Sequence, residues 1–176
     1  PPDIPRIITK SKDGKFICNT SSNRMDLFFN PKNDSEAILG NIKNDFFTLL
    51  KNIINFLNES YQLKIYRIGL VSNLIIPIQE SSNIFIIKKY LKETASISDT
   101  YEIQLHFLNK INLLNRYKAN RWLRIVTARE PQNLENDKFI SINIDINTLP
   151  DMTYNFDREL LTLIFNDAIK NMQDLL

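Results

Sequence analysis

Residues 115–129, N-R-Y-K-A-N-R-W-L-R-I-V-T-A-R, hold five cations and no acid, with Tyr117 and the chain's only tryptophan, Trp122, among them. The formal net charge of the whole chain is only +2, so positive charge is concentrated here. If this segment is extended, Lys118, Asn120, Trp122 and Arg124 project to one side, and Tyr117, Ala119, Arg121, Leu123 and Ile125 to the other. A tryptophan between cations can stack a base while its neighbours neutralise phosphates, as in sheets that bind single strands, and Arg116, Lys118, Arg121, Trp122 and Arg124 are the candidates for that chemistry. The same cations could instead pair with Glu102 and Asp145 on neighbouring strands, because opposite charges across a ladder stabilise sheets. The sequence pI of about 8.7 lies below the ~9 that marks a basic nucleic-acid footprint.

Little else in the chain is reactive: one His, one Cys and three Gly. His106, in Y-E-I-Q-L-H-F-L, shares strand parity with Glu102 and Gln104, where an imidazole can serve as acid or base or simply be solvated. Catalysis would require His106, Arg67 and Asp145 to converge in one pocket. Cys18 has no nearby His in sequence and no helix start to lower its pKa, and reads as a small buried apolar residue. One His and one Cys do not make a structural zinc site, no calcium-loop spacing occurs, and Gly14, Gly40 and Gly69 stand too far apart for a phosphate loop. Asp157 and Glu159 suit the positive end of a helix better than glycoside chemistry. No catalytic residue, metal or cofactor is assigned.

The elements that must position these residues follow from periodicity. Residues 6–11 and 15–20 are β-favouring runs joined through Asp13-Gly14, a pair that supplies the positive φ of a tight hairpin, and residues 24–29 add a third strand before Asn30-Pro31. Ile38, Leu39, Ile42, Phe46, Leu49, Leu50, Ile53, Phe56 and Leu57 recur at helical spacing, with Asp34 or Ser35 as a cap and Gly40 inside. Residues 64–78 read as a long strand with Gly69 in its middle and Pro77 near its end, compatible with a bent or edge position. A shorter helix is predicted over 81–93, its buried stripe Ile84, Ile87, Tyr90 and Leu91. Strands are predicted over 101–114, 117–128 and 138–146, the last alternating Ile140, Ile142, Ile144 and Ile146 against Ser141, Asn143, Asp145 and Asn147. Asn155 or Asp157 opens a final helix with Leu160, Leu161, Ile164, Phe165, Ala168, Ile169 and Met172 on one stripe. The order βββα-βα-βββα lacks regular βαβ alternation and implies an α+β fold, an antiparallel-rich sheet with helices on one face.

A chain of 176 residues suffices for one domain, 1–176, that hides roughly 70% of its unfolded surface. Its opening Pro-Pro suggests a piece of a longer protein. An apolar share of 43% and a charged share of 24% suit a soluble globular protein; no apolar run approaches the ~18–20 residues of a membrane span, and P-P-D-I-P is not a secretion signal. The single cysteine agrees with a reducing compartment, so a cytoplasmic setting without membrane contact is expected.

Over Tyr66-Arg67-Ile68-Gly69-Leu70-Val71-Ser72-Asn73 the chain resembles a sporadically distributed prokaryotic family of uncharacterised proteins, whose recurrent feature is R-I-G-L-R-Y followed closely by Asn. Val71 and Ser72 stand where Arg and Tyr are expected, while the flanking S-S-N-R-M-D-L strand and the Ile-rich strand with Asp145 extend the likeness over most of the chain. The resemblance implies a prokaryotic accessory protein and carries no activity onto particular residues. Without a reactive constellation, the expected function is a non-enzymatic module that binds another protein or a copy of itself through the bare side of the sheet, with Trp122, Arg124, His106 and Asn143 as the residues to test. Nucleic-acid binding through the basic strand is the alternative.

Overall fold

In the computed structural model, the residues described are 7–21, 25–32, 46, 48–53, 55–56, 59, 65, 67–91, 102–128, 136–151 and 158–174. The chain divides into two compact units, Pro1–Leu63 and Lys64–Leu176.

The first unit contains a three-stranded antiparallel meander, β1 (Ile7–Lys10), β2 (Phe16–Thr20) and β3 (Met25–Phe29). The β1–β2 turn is built as its Asp-Gly pair requires. Gly14 has φ +71°, its N–H donates to the Ser11 carbonyl at 2.9 Å, and the Asp13 carboxylate accepts from the Ser11 hydroxyl at 2.5 Å and the Lys15 N–H at 3.1 Å. These bonds, the Ser11 hydroxyl first, hold the Asp13 carboxyl below the usual carboxylate range. Phe16 and Phe29, opposite each other across β2 and β3, bring their rings to 5.1 Å.

Of the long helix expected after β3, the described residues 46, 48–53, 55–56 and 59 are helical. Leu50 is buried and Phe46, Leu49 and Ile53 are half-buried; Phe56, expected in the stripe, is instead exposed. Ile38, Leu39, Gly40, Ile42 and Leu57 lie outside the described residues.

The second unit holds the site. Four antiparallel strands run in the order β4-β7-β6-β5: β4 (Gly69–Pro77), β5 (Gln104–Leu113), β6 (Tyr117–Ala128) and β7 (Phe139–Thr148). A helix α1 (Ser82–Ile86) continues as a π turn, Ile87–Leu91, and α2 (Arg158–Gln173) ends the described chain. The α+β class with antiparallel sheets therefore holds. The long strand begins at Gly69 rather than residue 64: just before it, Ile68 donates its N–H to the Thr148 hydroxyl and accepts from the Thr148 N–H, closing the ladder end with β7.

One face of this sheet is dry. Ile140, Ile142, Ile144 and Ile146 of β7 are buried, flanked in register by Leu70, Ser72, Leu74 and Ile76 of β4 and by Arg121, Leu123, Ile125 and Thr127 of β6. α1 packs against β6, and α2 against β5 and β7, on this face. α2 buries Leu161, Ile164, Phe165, Ala168, Ile169 and Met172, the stripe its periodicity predicts, each large side chain contributing roughly 1.5–3 kcal/mol. In α1 the expected stripe is out of phase: Ser82 and Ile86 are buried, whereas Ile84 is exposed and Ile87, Tyr90 and Leu91 are half-buried. The π turn displaces the residues from Ile87 onward, since one residue more per turn shifts every later side chain around the axis.

α2 also fixes the β5–β6 hairpin. Leu114 and Asn115 sit at φ +50° and +54°, a left-handed pair closed by the Arg116 N–H donating to the Leu113 carbonyl at 3.0 Å. Asn tolerates this conformation and Leu does not, and the Leu114 N–H donates to the Asp167 carboxylate of α2 at 2.7 Å, which holds the turn in place.

Candidate functional site

The other face of the four-stranded sheet is open. Register places its side chains in cross-strand rows. One row runs Val71, Asp145, Trp122, Leu108 from β4 to β5; the next runs Asn73, Asn143, Arg124, His106; the third runs Ile75, Ser141, Val126, Gln104. Neighbouring strands lie about 4.8 Å apart and successive rows about 7 Å apart, so Trp122, Arg124, His106 and Asn143 occupy one patch roughly 10 Å by 7 Å. All four residues expected to mark an interface are thus brought together, and His106, Arg124 and Asn143 share one row.

The patch is apolar at its flanks and polar between them. Val71 is 55% exposed, Ile75 72%, Trp122 43% and Leu108 47%, whereas Ile140, Ile142, Ile144 and Ile146 of β7 on the other face are buried. In the middle row the Asn143 amide donates to Asn73 Oδ1 at 2.6 Å, and Arg124 Nη2 donates to Gln104 Oε1 at 2.8 Å; the Gln104 amide in turn donates to the Glu102 carboxylate. Arg124 therefore meets Glu102 through an amide, not directly. Asp145 accepts from the Asn147 amide at 2.9 Å, and Asn147 Oδ1 accepts from Arg67 Nη2 at 3.0 Å.

The expected pairing of the basic strand with carboxylates is not what the geometry gives. Among the described residues neither Lys118 nor Arg124 forms an ion pair, and both lie on the open face with Trp122. Arg121 belongs to the helix-covered face, opposite Asn109 and Ile146, with its Nε enclosed and lacking a hydrogen-bond partner. Arg116 lies in the hairpin turn with its guanidinium 5.3 Å over the Tyr117 ring. The basic segment thus divides among two faces and a turn.

Catalytic convergence is absent as well. Arg67 and Asp145 are linked through Asn147, but His106 is two strands from Asp145 and one row away, about 12 Å on sheet spacings. A depression of about 300 Å³ at the hairpin end of the face is lined by Lys110, Ile111, Asn112, Lys118, Ala119 and Leu149. It carries two ammonium groups and neither acid nor nucleophile. Among the described residues no three His, Cys, Asp or Glu side chains gather closely enough to hold a metal ion, and no helix is long and apolar enough to cross a membrane.

Val71, Ile75, Leu108, Lys110 and Asn73 are members of the face that periodicity in the basic strand alone did not reveal. Their signal lay in the parity of β4 and β5 once paired with β7 and β6. Comparison of the chain with protein-family models, with curated proteins and with solved structures returns no match.

Proposed function

We propose that the open face of the four-stranded sheet is a protein-binding surface, with Trp122 as its anchor and the His106–Arg124–Asn143 row as its polar register. The observation that supports this reading most is the cross-strand row in which the exposed Trp122 lies between the exposed Leu108 and, beyond Asp145, the exposed Val71. Tryptophan and arginine dominate binding energies at protein interfaces, and a polar row between apolar rows supplies hydrogen bonds that fix orientation. The role is non-enzymatic, in a prokaryotic accessory protein, and the free Cys18 suits a reducing compartment such as the cytoplasm.

Native mass spectrometry of the chain isolated from its own host tests this directly. A stoichiometric protein companion that is lost in Trp122→Ala, with the fold retained, is the expected result; a companion unaffected by Trp122→Ala and Arg124→Ala together contradicts it.

A second reading rests on a separate observation, that Lys118, Trp122 and Arg124 share one face of one strand and the two cations form no ion pair with a described carboxylate. Lys118 and Arg124 flank Trp122 about 7–13 Å along the strand, a track for a single-stranded nucleic acid. Co-purified RNA, with affinity falling as roughly the second power of salt concentration for two or three neutralised phosphates, would favour it over apolar association.

A further inference from the structure

β5 is an edge strand ten residues long. The Thr127 N–H donates to the Ile103 carbonyl at 3.1 Å, continuing the register in which Gln104 faces Val126. Opposed pairs that share hydrogen bonds alternate with pairs that do not along an antiparallel ladder. Odd-numbered residues of β5 therefore spend their N–H and C=O groups on β6, and Gln104, His106, Leu108, Lys110 and Asn112 aim theirs outward. Among the described residues none takes up these outward groups. Proteins usually blunt such an edge with proline, a bulge, a cover or lysines, and β5 carries one lysine, Lys110. The opposite edge, β4, has Pro77; β5 has no proline and exposes Phe107 on one face and Leu108 on the other.

We infer that β5 pairs antiparallel with β5 of a second copy, about a two-fold axis that passes His106 normal to the sheet. Residues opposed across a ladder point to the same side, so such an axis keeps the open face of one copy beside the open face of the other. The side chains of β5 and its entry that carry charge or titrate on that face are Glu102, His106 and Lys110, all exposed. An axis at His106 sets Glu102 against the partner's Lys110, twice by symmetry, and sets Leu105 against the partner's Phe107. An axis at Leu108 sets His106 against Lys110, and an axis at Lys110 sets lysine against lysine. An axis at Phe107 gives neither charge a counterpart, and one at Gln104 leaves Lys110 beyond the paired strand. Charge complementarity thus selects both the occupant, a second copy, and the register. The result is one continuous eight-stranded sheet with two Trp122 patches on the same side. It concerns the strand edge, so it stands apart from the protein-binding reading of the face.

Sedimentation equilibrium of the full chain tests the pairing. The native chain dimerises reversibly; E102K and K110E each weaken dimerisation about tenfold or more, because two attractive pairs become repulsive, and E102K/K110E recovers most of the loss. Leu108→Pro deletes an outward N–H without costing a bond to β6, and yields a monomer with native circular dichroism. A native chain that stays monomeric, a double reversal that fails to recover the single losses, or a folded Leu108→Pro chain that still dimerises overturns the inference. Should Leu108→Pro fail to fold, the reversal series decides, since Glu102 and Lys110 are exposed.

Discussion

Ile142 and Asn143 are consecutive in β7, yet Ile142 is sealed beneath the helices while Asn143 reaches across the open face to Asn73. The same contrast separates Leu123 from Trp122 and Leu74 from Ile75. Backbone geometry is shared by both faces, so what distinguishes them is cover. The dry face is filled with branched aliphatic side chains and closed by α2, and it holds the fold. The open face mixes apolar and hydrogen-bonding groups, leaves its tryptophan half exposed, and contributes little to folding. A surface built this way is free to be used for contact without a large cost in stability.

The largest effect that separates the two faces comes from truncation in β7. Ile144→Ala should lower unfolding free energy by about 2–5 kcal/mol, whereas Asn143→Ala should change it by less than about 0.5 kcal/mol; urea denaturation reads both. Equal losses at the two positions would break the contrast. Next, Asp167→Ala removes the acceptor for the Leu114 N–H and should cost about 1–2 kcal/mol while leaving α2 helical, with the damage confined in hydrogen exchange to the β5–β6 hairpin. Leu114→Gly should act the other way, raising stability by about 0.5–1 kcal/mol in the same denaturation assay, since glycine adopts φ +50° without a Cβ clash.

The smallest effect belongs to the exposed turn of the first unit. Asp13 is held below its ordinary value of 3.8, by the Ser11 hydroxyl first and the Lys15 N–H second. A depressed carboxyl contributes stability above its unfolded pKa and loses it as pH falls through the folded one. The turn should therefore stay native through mildly acid pH and loosen only in stronger acid. A carboxyl-detected NMR titration should show a midpoint below 3.8, and Ser11→Ala should raise it.

Much of the contrast between faces was legible in the sequence. Alternation of Ile140 to Ile146 with Ser141 to Asn147 declares a wet and a dry side at once, and the parity of β6 separates Trp122 and Arg124 from Arg121. What alternation cannot supply is register. That His106 faces Arg124 depends on the left-handed turn at Leu114 and Asn115, and no glycine announces it. The start of β4 is hidden in the sequence because K-I-Y-R-I-G-L is β-favouring throughout, and only the bonds between Ile68 and Thr148 mark where pairing begins. The phase of α1 is not legible because Ile84, Ile86 and Ile87 crowd a helix too short to establish a period. The division of the seven strands among the described residues between two sheets likewise reflects long-range pairing rather than any local signal.

Trp122 is the only tryptophan, so its fluorescence reports on the open face alone. Collisional quenching by acrylamide, compared between the isolated chain and the complex purified from its host, is the most direct measurement. Ready quenching in the isolated chain and strong shielding in the complex are predicted. Shielding already present in the isolated chain, or quenching unchanged in the complex, would contradict a face left open for a partner.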